Sequence, residues 1–377
     1  MHFPTMSRRA ILTGAALTAL GITAAGCASR PPGRNVTDMP LSLTLPRYPA
    51  EWEAHSRTVM SWPNSQVWAQ DTRFVRDDIA NLARTLADFE PVLLMASPDE
   101  AEDAARRCGD LVEVAAMPVD DLWARDTVPV FIETVDGVAG VDFNFNGWGD
   151  KQTHANDGKV AARILRELGI PRIDTHLVAE GGSFETDGEG TLLITESSIV
   201  NQNRNPGMSR DQVERELRSL LAIEKVIWCD GVVGEDITDA HIDSLARFVA
   251  PGVVLLDVPG PGAPEDVWSR SSEQARGVLT REQDARGRSF EVIELPQPDF
   301  SKIRGTSDDF LASYVNFFVG NEIVLVPEFG DRRADRRARG ILGEHFPDRD
   351  VVAVRIDEIA SGGGGIHCAT HDIPATA

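Results

Sequence analysis

The chain has 377 residues, of which 59 are acidic and 37 are basic, so its formal net charge is −22. A protein that binds nucleic-acid phosphates needs a basic face, so this charge argues against that class and is compatible with a cationic ligand. The hydrophobic fraction of 42% is ordinary for a folded soluble protein, and four cysteines without a CxxC pair exclude a disulfide scaffold and a common zinc ribbon.

The first 27 residues have the features of an export signal. Arg8 and Arg9 precede an uncharged run, residues 10–25, that is shorter than the ~20 residues needed to span a bilayer. A charged start, a mildly hydrophobic centre and small residues near a cleavage site are typical of a secretory signal. The pattern Ser-Arg-Arg-x-x-Leu at Ser7–Leu12 resembles a twin-arginine signal. We therefore expect an exported protein, located in the periplasm or at the cell envelope.

The segment Ala24–Cys27 resembles a bacterial lipoprotein box, in which Cys27 would be acylated and would anchor the protein to a membrane. The alternative is simple cleavage nearby, with Cys27 removed or unmodified. Residues 28–47 have little periodic hydrophobic pattern and are interpreted as a tether. The predicted organisation is an export signal at 1–27, a tether at 28–47 and a single domain at 48–377.

Beyond the tether, one pattern of secondary structure recurs. Two short hydrophobic runs joined by a turn predict a hairpin, and a helical pattern and a further strand follow it. The predicted helices are Arg73–Ala87, Gly158–Leu168, Ser209–Leu221, Asp266–Arg286 and Arg332–His345. The predicted strands are Pro91–Met95, Val130–Ile132, Val141–Phe145, His176–Ala179, Ser183–Thr186, Thr191–Val200, Lys225–Cys229, Leu245–Val249, Val253–Val258, Tyr314–Val319, Glu322–Val326 and Asp350–Ile356.

This pattern gives roughly five units at spacings of about 50–70 residues, which is typical of a radial repeat. Because hairpins and helices mix within each unit, a doubly wound parallel sheet fits poorly. The sequence favours an α/β fold, a five-bladed pseudo-symmetric propeller of repeated ββαβ units whose loops converge on a central channel. A generic α/β or α+β domain is the alternative.

A glycine-rich segment near the end of the chain, Gly362–Cys368, is the first candidate for chemistry. Four consecutive glycines allow the backbone to approach a ligand closely, and a cysteine at the end of such a loop can be held at a fixed angle. The alternative is a flexible linker before an incidental buried cysteine.

Three further segments carry charged residues next to predicted strands. Met117–Asp126 mixes carboxylates with a tryptophan, and Glu180–Ser183 places a carboxylate on a tight turn. In Thr238–Asp243, a strand would place His241 and Asp243 on the same face, an arrangement that suits proton transfer and cation binding. For Met117–Asp126 the alternative is a solvated loop, and for His241 and Asp243 it is a surface salt bridge.

A zinc site is the competing interpretation of some of these residues. His367, Cys368, His371 and His241 are the available ligands. Adjacent residues of a strand point to opposite faces, so His367 and Cys368 are not expected to ligate together, and no HExxH motif is present. The sequence therefore predicts neither a metal nor a cofactor.

Together these four segments resemble those of the agmatine deiminase and Porphyromonas-type peptidylarginine deiminase family. Further similarity lies in Pro49–Glu53, Met60–Pro63, Asn201–Pro206, Ala312–Phe317 and Val326–Asp331. The resemblance covers nearly all of residues 48–375. It implies the five-bladed α/β propeller fold and a catalytic domain that hydrolyses a guanidine to a urea with release of ammonia.

The resemblance also implies roles for individual residues. Cys368 would be the nucleophile and His241 the general acid and base. Asp126 and Asp243 would grip the guanidinium, and Glu180 would lie near His241. Two further residues resemble pocket residues of the family, and these are Trp123 and Asn316. The implied partner is a small cationic guanidine, and a homodimer is the default expectation for the assembly.

The substrate is less determined than the reaction. The resemblance is strongest to agmatine deiminases, which implies agmatine as substrate and N-carbamoylputrescine as product. Export is unusual for that role, so an exported peptidylarginine deiminase that makes citrulline is the alternative. A lipoprotein that binds a guanidine without turnover is a third hypothesis, but pure binding needs no nucleophile. Five residues beside the catalytic candidates depart from the family pattern, and these are Val128, Ala240, Gly365, His371 and Asp372.

Two cysteines lie outside the candidate site. In an oxidising compartment Cys108 and Cys229 could pair as a disulfide. Buried free thiols are the alternative, because Cys108 follows a helical stretch and Cys229 ends a hydrophobic strand.

Overall fold

The computed structural model describes residues 45–305, 307 and 309–375. The predicted export signal, Cys27 and most of the predicted tether lie outside the described residues. Arg47, assigned to the tether, pairs through its backbone with Glu133 and through its side chain with Glu53 and Glu133. Arg47 therefore contacts the described fold directly.

Sixteen strands and eleven helices are found in the described part of the chain. The strands are β1 (His55–Ser61), β2 (Val92–Ala96), β3 (Val112–Ala116), β4 (Val130–Thr134), β5 (Gly137–Asp142), β6 (Arg172–Asp174), β7 (Glu185–Thr186), β8 (Thr191–Thr195), β9 (Lys225–Cys229), β10 (Ala246–Ala250), β11 (Val253–Val258), β12 (Glu291–Pro296), β13 (Phe318–Val319), β14 (Ile323–Glu328), β15 (Asp350–Arg355) and β16 (Thr370–Pro374).

The helices are α1 (Ser65–Trp68), α2 (Thr72–Ala87), α3 (Ala101–Cys108), α4 (Ala124–Thr127), α5 (Gly147–Asp150), α6 (Val160–Leu168), α7 (Glu196–Ile199), α8 (Arg210–Leu220), α9 (Val267–Arg281), α10 (Arg332–His345) and α11 (Asp357–Ser361). Short 3-10 helices cover Ala69–Asp71, Asp157–Lys159, Gly181–Ser183 and Ile242–Ser244. None of the described helices is both long and apolar enough to cross a membrane.

The strands form five small sheets. Four have three strands each, in the orders β4-β5-β6, β7-β8-β9, β10-β11-β12 and β13-β14-β15, and in each the first pair is antiparallel and the second parallel. A parallel pair needs a crossover, and a helix supplies it in every unit. The predicted ββαβ repeat is therefore confirmed as five mixed sheets of repeated units.

The fifth sheet joins the two ends of the described chain, with the order β16-β1-β2-β3. β16 pairs antiparallel with β1, and β1 pairs parallel with β2 across α2. The last strand thus takes the place that the first hairpin strand has in the other four units. Sequence patterns did not reveal that β16 belongs to this unit, because β1 and β16 are more than 300 residues apart along the chain.

Several predicted elements match the structure at both ends. The strands Lys225–Cys229 and Val253–Val258 and the helix Arg332–His345 are confirmed without change. The helix predicted over Ser209–Leu221 is α8, and Ser209 and Gln212 form a capping box at its start. These segments combine a clear hydrophobic period with a defined start or stop signal.

The strand predicted at His176–Ala179 was wrong, because β6 ends at Asp174. In this segment, hydrogen bonds from asparagine side chains take the place of the backbone hydrogen bonds between strands. Asn144 Nδ2 donates to the carbonyls of Thr175 and Leu177, and Asn205 bonds both the N–H and the carbonyl of Val178. Hydrogen bonds from side chains satisfy the backbone here, so a hydrophobic run exists without a strand.

Three predicted elements were too long. β8 ends at Thr195 and continues as α7, and β13 contains only Phe318 and Val319. α9 ends at Arg281 because the next residue, Glu282, is extended. Near β8 and β13 hydrophobic residues lie outside the regular hydrogen bonding, whereas the polar residues after α9 carry no clear helix stop signal, so composition alone cannot locate these ends.

Amphipathic helices cover the sheets and hold the units in place. In α2 the fully buried residues Val75, Ile79, Leu82 and Leu86 repeat every three or four positions and pack against the sheet that contains β2. Burying each such side chain contributes roughly 1.5–3 kcal/mol. The loops that enter the first strand of each unit are thereby held on a rigid frame.

Candidate active site

The candidate residues share one position in the repeated unit. Asp126 precedes β4, Glu180 precedes β7, Asp243 precedes β10, Asn316 precedes β13 and Cys368 precedes β16. Each therefore lies in the loop that enters the first strand of a different unit. This equivalence explains how residues far apart in sequence come together, and their contacts show that they do.

Cys368 lies in the turn between α11 and β16, where the side chain of Asn316 holds it. Asn316 Oδ1 accepts the backbone N–H of Cys368 at 3.3 Å, and Asn316 Nδ2 donates to Sγ at 3.2 Å. A Cβ at Gly365 would overlap the Asn316 side chain, so glycine at this position lets the amide reach the cysteine. Asn316, interpreted as a pocket residue, therefore orients the thiol directly.

Asp243 lies directly beside the thiol. The Cys368 thiol donates to Asp243 Oδ2 over 3.6 Å, and His367 Nδ1 lies 2.8 Å from the same oxygen. Burial opposes ionisation of Asp243, but the contact with His367 outweighs it and lowers the pKa to about 2. Asp243 is therefore a buried carboxylate that stays charged.

The thiol itself is held in its neutral form before a ligand binds. Burial, together with the negative charges of Asp243 and Asp126, raises the pKa of Cys368 well above its ordinary value. A cation placed between the carboxylates would reverse this effect, because it would favour the thiolate. The site thus contains a nucleophile that a positively charged ligand can activate.

His241 is surrounded by carboxylates. Its Nε2 lies 3.3 Å from Glu180 Oε2, and its Nδ1 lies 3.8 Å from Asp126 Oδ1. Burial opposes the charge, but Asp126, Glu180 and Asp243 together raise the pKa of His241 to about 9. His241 is therefore an imidazolium at neutral pH and can donate a proton.

The predicted strand around His241 was wrong. His241 precedes the 3-10 helix Ile242–Ser244, and Asp239 and Ala240 before it have left-handed φ values of 62° and 67°. His241 and Asp243 nevertheless face one centre, because the turn brings both side chains over Gly182. The expected juxtaposition is present with a different local geometry.

Gly182 marks the point where the charged groups converge. A Cβ on this residue would lie 2.6 Å from His241 Nδ1, 2.9 Å from Asp126 Oδ1 and 3.2 Å from Asp243 Oδ2. The Gly182 N–H donates to Asp126 Oδ1 at 3.0 Å, and the Trp148 indole N–H donates to Asp126 Oδ2 at 2.9 Å. Two carboxylates, an imidazole and a nearby thiol around one small space form a site suited to a planar cation.

Comparison with known proteins identifies the family. The sequence matches the profile of the Porphyromonas-type peptidyl-arginine deiminase family over residues 47–374. The chain belongs to this family. Family membership makes it a guanidino-group deiminase, a hydrolase of amidine C–N bonds.

Named relatives within the family are similar over nearly their whole length. Agmatine deiminase from Stutzerimonas stutzeri is 39% identical over 356 residues, covering 87% of this chain and 95% of the relative. Agmatine deiminase from Medicago truncatula is 35% identical over 360 residues, covering 87% of this chain and 96% of the relative. The solved agmatine deiminase of Enterococcus faecalis has 30% identity and a TM-score of 0.80, covering 87% of this chain and 96% of that one.

Tryptophans cover the deiminase site on the side of the glycine loop. Trp123 packs over Gly364, and Trp68 packs over Gly362, since a Cβ on either glycine would overlap the indole above it. The two indole centroids are 6.3 Å apart, and the Trp68 N–H donates to Asp121 Oδ1 at 2.7 Å. Trp123, expected to be a pocket residue, therefore forms part of the cover over the loop that carries the nucleophile.

Sequence reasoning assigned no role to several residues that the deiminase site uses. They are Glu51, Trp148, Gly182, Arg204 and His367. Glu51 and Arg204 lie in segments that resemble the family, which was the available signal. His367 was considered only as a metal ligand, yet it bridges Asp243 and Glu51, with Nε2 2.9 Å from Glu51 Oε2.

The zinc interpretation finds no support among the described residues, where no group of three or more His, Cys, Asp or Glu residues could hold a metal ion. The sequence argument against zinc assumed that His367 and Cys368 lie on a strand, and this assumption was wrong. His367 and Cys368 lie in a turn rather than a strand, and both contact Asp243. His371 lies elsewhere, with Nδ1 3.1 Å from the Arg125 carbonyl oxygen.

Two departures from the family pattern lie within the fold rather than at the reacting atoms. Asp372 pairs with Arg125 at 3.3 Å, and burial together with Arg125 lowers the pKa of His371 to about 3.

Cys108 and Cys229 are buried free thiols, and burial raises their pKa values to about 11 and about 12. The alternative without a disulfide is therefore the one found.

Proposed function

We propose that the enzyme converts agmatine to N-carbamoylputrescine and ammonia through a covalent thiouronium on Cys368. The convergence of Asp126, His241 and Asp243 around Gly182, with the Cys368 thiol 3.6 Å from Asp243, is the observation that carries this proposal. These groups provide a cation site, a proton donor and a nucleophile within one small space.

The guanidinium is the cation that suits this space. It is planar, it stays protonated at neutral pH, and two carboxylates can bind its N–H groups. In the proposed complex Asp126 and Asp243 bind it, and its positive charge lowers the pKa of Cys368, so that the thiol gives its proton to solvent water as the ligand binds. The ligand thereby creates the thiolate that attacks it.

Bond making and breaking then follow in two halves. The Cys368 sulfur forms a bond to the central guanidine carbon, and His241 gives its proton to the departing nitrogen as that C–N bond breaks and ammonia leaves. The remaining thiouronium is attacked by water, whose proton passes to His241. The remaining hydroxyl proton passes to sulfur as the C–S bond breaks and the urea carbonyl forms, so the ureido product leaves and the neutral thiol of the starting state is restored.

Agmatine is favoured over peptidylarginine for two reasons. The named relatives that cover most of the chain are agmatine deiminases. Glu180 and Asp243 are fully buried and Trp123 packs over the loop of the nucleophile, so a slim free guanidine fits this site better than an arginine within a peptide backbone.

We also propose that the five units close into a propeller around this site. The pairing of β1 with β16 supports closure, because it joins the first and last units of the described chain through one sheet. The equivalent positions of the site residues, each before the first strand of a unit, support a common centre.

We propose, from the sequence of residues 1–27, that the protein is exported to the periplasm or is held at the cell envelope by a lipid on Cys27.

The proposed function is tested by measuring release of ammonia and of ureido product from agmatine, free arginine and a blocked arginine peptide. Agmatine should give the highest kcat/KM, and the Cys368→Ala variant should bind agmatine without releasing ammonia. Preference for the peptide would establish the peptidylarginine alternative. Binding of agmatine without turnover by the unmodified enzyme would establish a binding protein instead.

A further inference from the structure

We propose that Arg204 is a positioning residue of the deiminase site, which holds the Glu180 carboxylate in place against His241 and fixes the turn that carries His241. Arg204 acts through Glu180 and through the backbone of this turn. The inference rests on the proposed role of His241 as the proton donor.

Arg204 makes a direct link to the carboxylate partner of His241. Its Nε donates to Glu180 Oε1 at 2.7 Å, and both side chains are fully buried. The other oxygen, Glu180 Oε2, lies 3.3 Å from His241 Nε2. Arg204, Glu180 and His241 therefore form a continuous line of charge, positive, negative and positive.

The same guanidinium also binds the backbone that leads to His241. Arg204 Nη2 donates to the Thr238 carbonyl at 3.0 Å, and Nη1 donates to Asp239 Oδ2 at 2.8 Å. Asp239 and Ala240 have left-handed φ values, a conformation that residues with a side chain adopt at a cost in free energy. A turn of this kind persists only when surrounding contacts fix it, and Arg204 supplies two of them.

The position of Glu180 explains why arginine is needed here. Without Arg204, Glu180 Oε1 would lose its buried partner at 2.7 Å, and the carboxylate could move away from His241. A displaced Glu180 would stabilise the imidazolium of His241 less. Asp126 and Asp243 also face His241, so the imidazolium would keep part of its stabilisation but not all of it.

The test compares Arg204→Gln with Arg204→Lys and follows kcat/KM for agmatine against pH. Arg204→Gln should move the alkaline fall in activity to lower pH by about one unit, because a displaced Glu180 no longer places its negative charge close to the His241 imidazolium. Arg204→Lys keeps the charge and should restore most of the profile, while its single ammonium cannot replace all the hydrogen bonds to the turn.

Arg76→Gln is the matched control. Arg76 is also a buried arginine with two carboxylate partners, Glu100 and Asp103, and a backbone carbonyl partner, that of Pro63. This variant should lose comparable stability in thermal unfolding and keep the alkaline limb of the unmodified enzyme. A shift of equal size in both variants would reduce Arg204 to a general structural role and overturn the proposal.

A second measurement is independent of turnover. In NMR spectra of histidine-labelled protein, the imidazole of His241 should lose its proton at lower pH in Arg204→Gln than in the unmodified enzyme. An unchanged titration in a folded variant overturns the role of Arg204. If the unmodified enzyme releases no ammonia, the proposed function fails, but this titration still tests the link from Arg204 to His241.

Discussion

The ionisation of individual residues at this site is set by competition between burial and nearby charge. Burial alone would make His241 neutral, and three carboxylates reverse that result. The same carboxylates hold the thiol of Cys368 in its neutral form. Before a ligand binds, the site therefore contains a protonated His241 and a neutral Cys368 thiol. A cationic substrate would favour the thiolate of Cys368 while His241 keeps its proton.

This balance predicts how activity depends on pH. Because the pKa of His241 is raised to about 9, the proton donor is present below that pH, and kcat/KM should fall as pH rises through about 9. In Glu180→Gln one stabilising carboxylate is lost, so the midpoint should move to lower pH. Kinetic pH profiles of the two proteins check this, and a midpoint near the ordinary histidine value in the unmodified enzyme would contradict it.

At the residue scale the sequence could indicate the candidate reacting groups but not their supports. Short segments dense in chemically active residues marked Cys368, His241 and Asp126 as candidates, and the resemblance to the family supplied their expected roles. Arg204 and Gly182 act on residues that are 24 or more positions away, and only the folded contacts reveal those links.

At the scale of elements, the loop before the first strand of each unit is the place where function is built. A rigid sheet follows each loop, so each side chain is held by a strand while the loop itself is free to vary. The loop before β7 makes the closest approach, because Gly182 lies directly under His241 and the two aspartates.

This close approach predicts that Gly182→Ala lowers kcat/KM by about 100-fold, because a methyl group displaces His241 and Asp126 and misplaced groups lose rate steeply. Gly340→Ala is the control, since a Cβ on that residue of α10 meets nothing within 4 Å and alanine favours the helix by roughly 0.5–1 kcal/mol. Steady-state kinetics and thermal unfolding check both variants. Unchanged kinetics in a folded Gly182→Ala variant would contradict the close approach of Gly182 to His241, Asp126 and Asp243.

The repeated unit was predictable because each hairpin and each helix follows from residues close together in sequence. The segment around residues 176–179 shows the limit of this reasoning. Its hydrophobic run predicts a strand, but Asn144 and Asn205 bond its backbone instead. Contacts between distant segments override local preference there.

At the scale of the whole molecule, the first and last strands of the described chain pair in one sheet beside the proposed nucleophile. β16 follows Cys368 by two residues and pairs with β1, so the first unit is completed only when both strands are in place. Local sequence patterns do not record such a pairing, which is why the five units could be predicted while the composition of the first could not.

The first 27 residues predict where the molecule is located. On fractionation of cells that express the full chain, the protein should be found with the membranes of the envelope, and Cys27→Ser should move it to the soluble periplasmic fraction. Arg30→Lys, which changes an arginine outside both motifs, should not alter its distribution. Recovery of the unmodified protein from the cytoplasm would contradict export, and membrane binding that survives Cys27→Ser would contradict the anchor.

The most direct test of the account is to look for the covalent intermediate on Cys368. Enzyme mixed with agmatine should be quenched in acid within the first turnover and analysed by intact-mass and peptide mass spectrometry, with Cys368→Ser as the control. We predict a mass increase equal to agmatine less ammonia on the peptide that contains Cys368, and none in the control. Turnover of agmatine by the control, or an adduct on any other residue, would contradict the account.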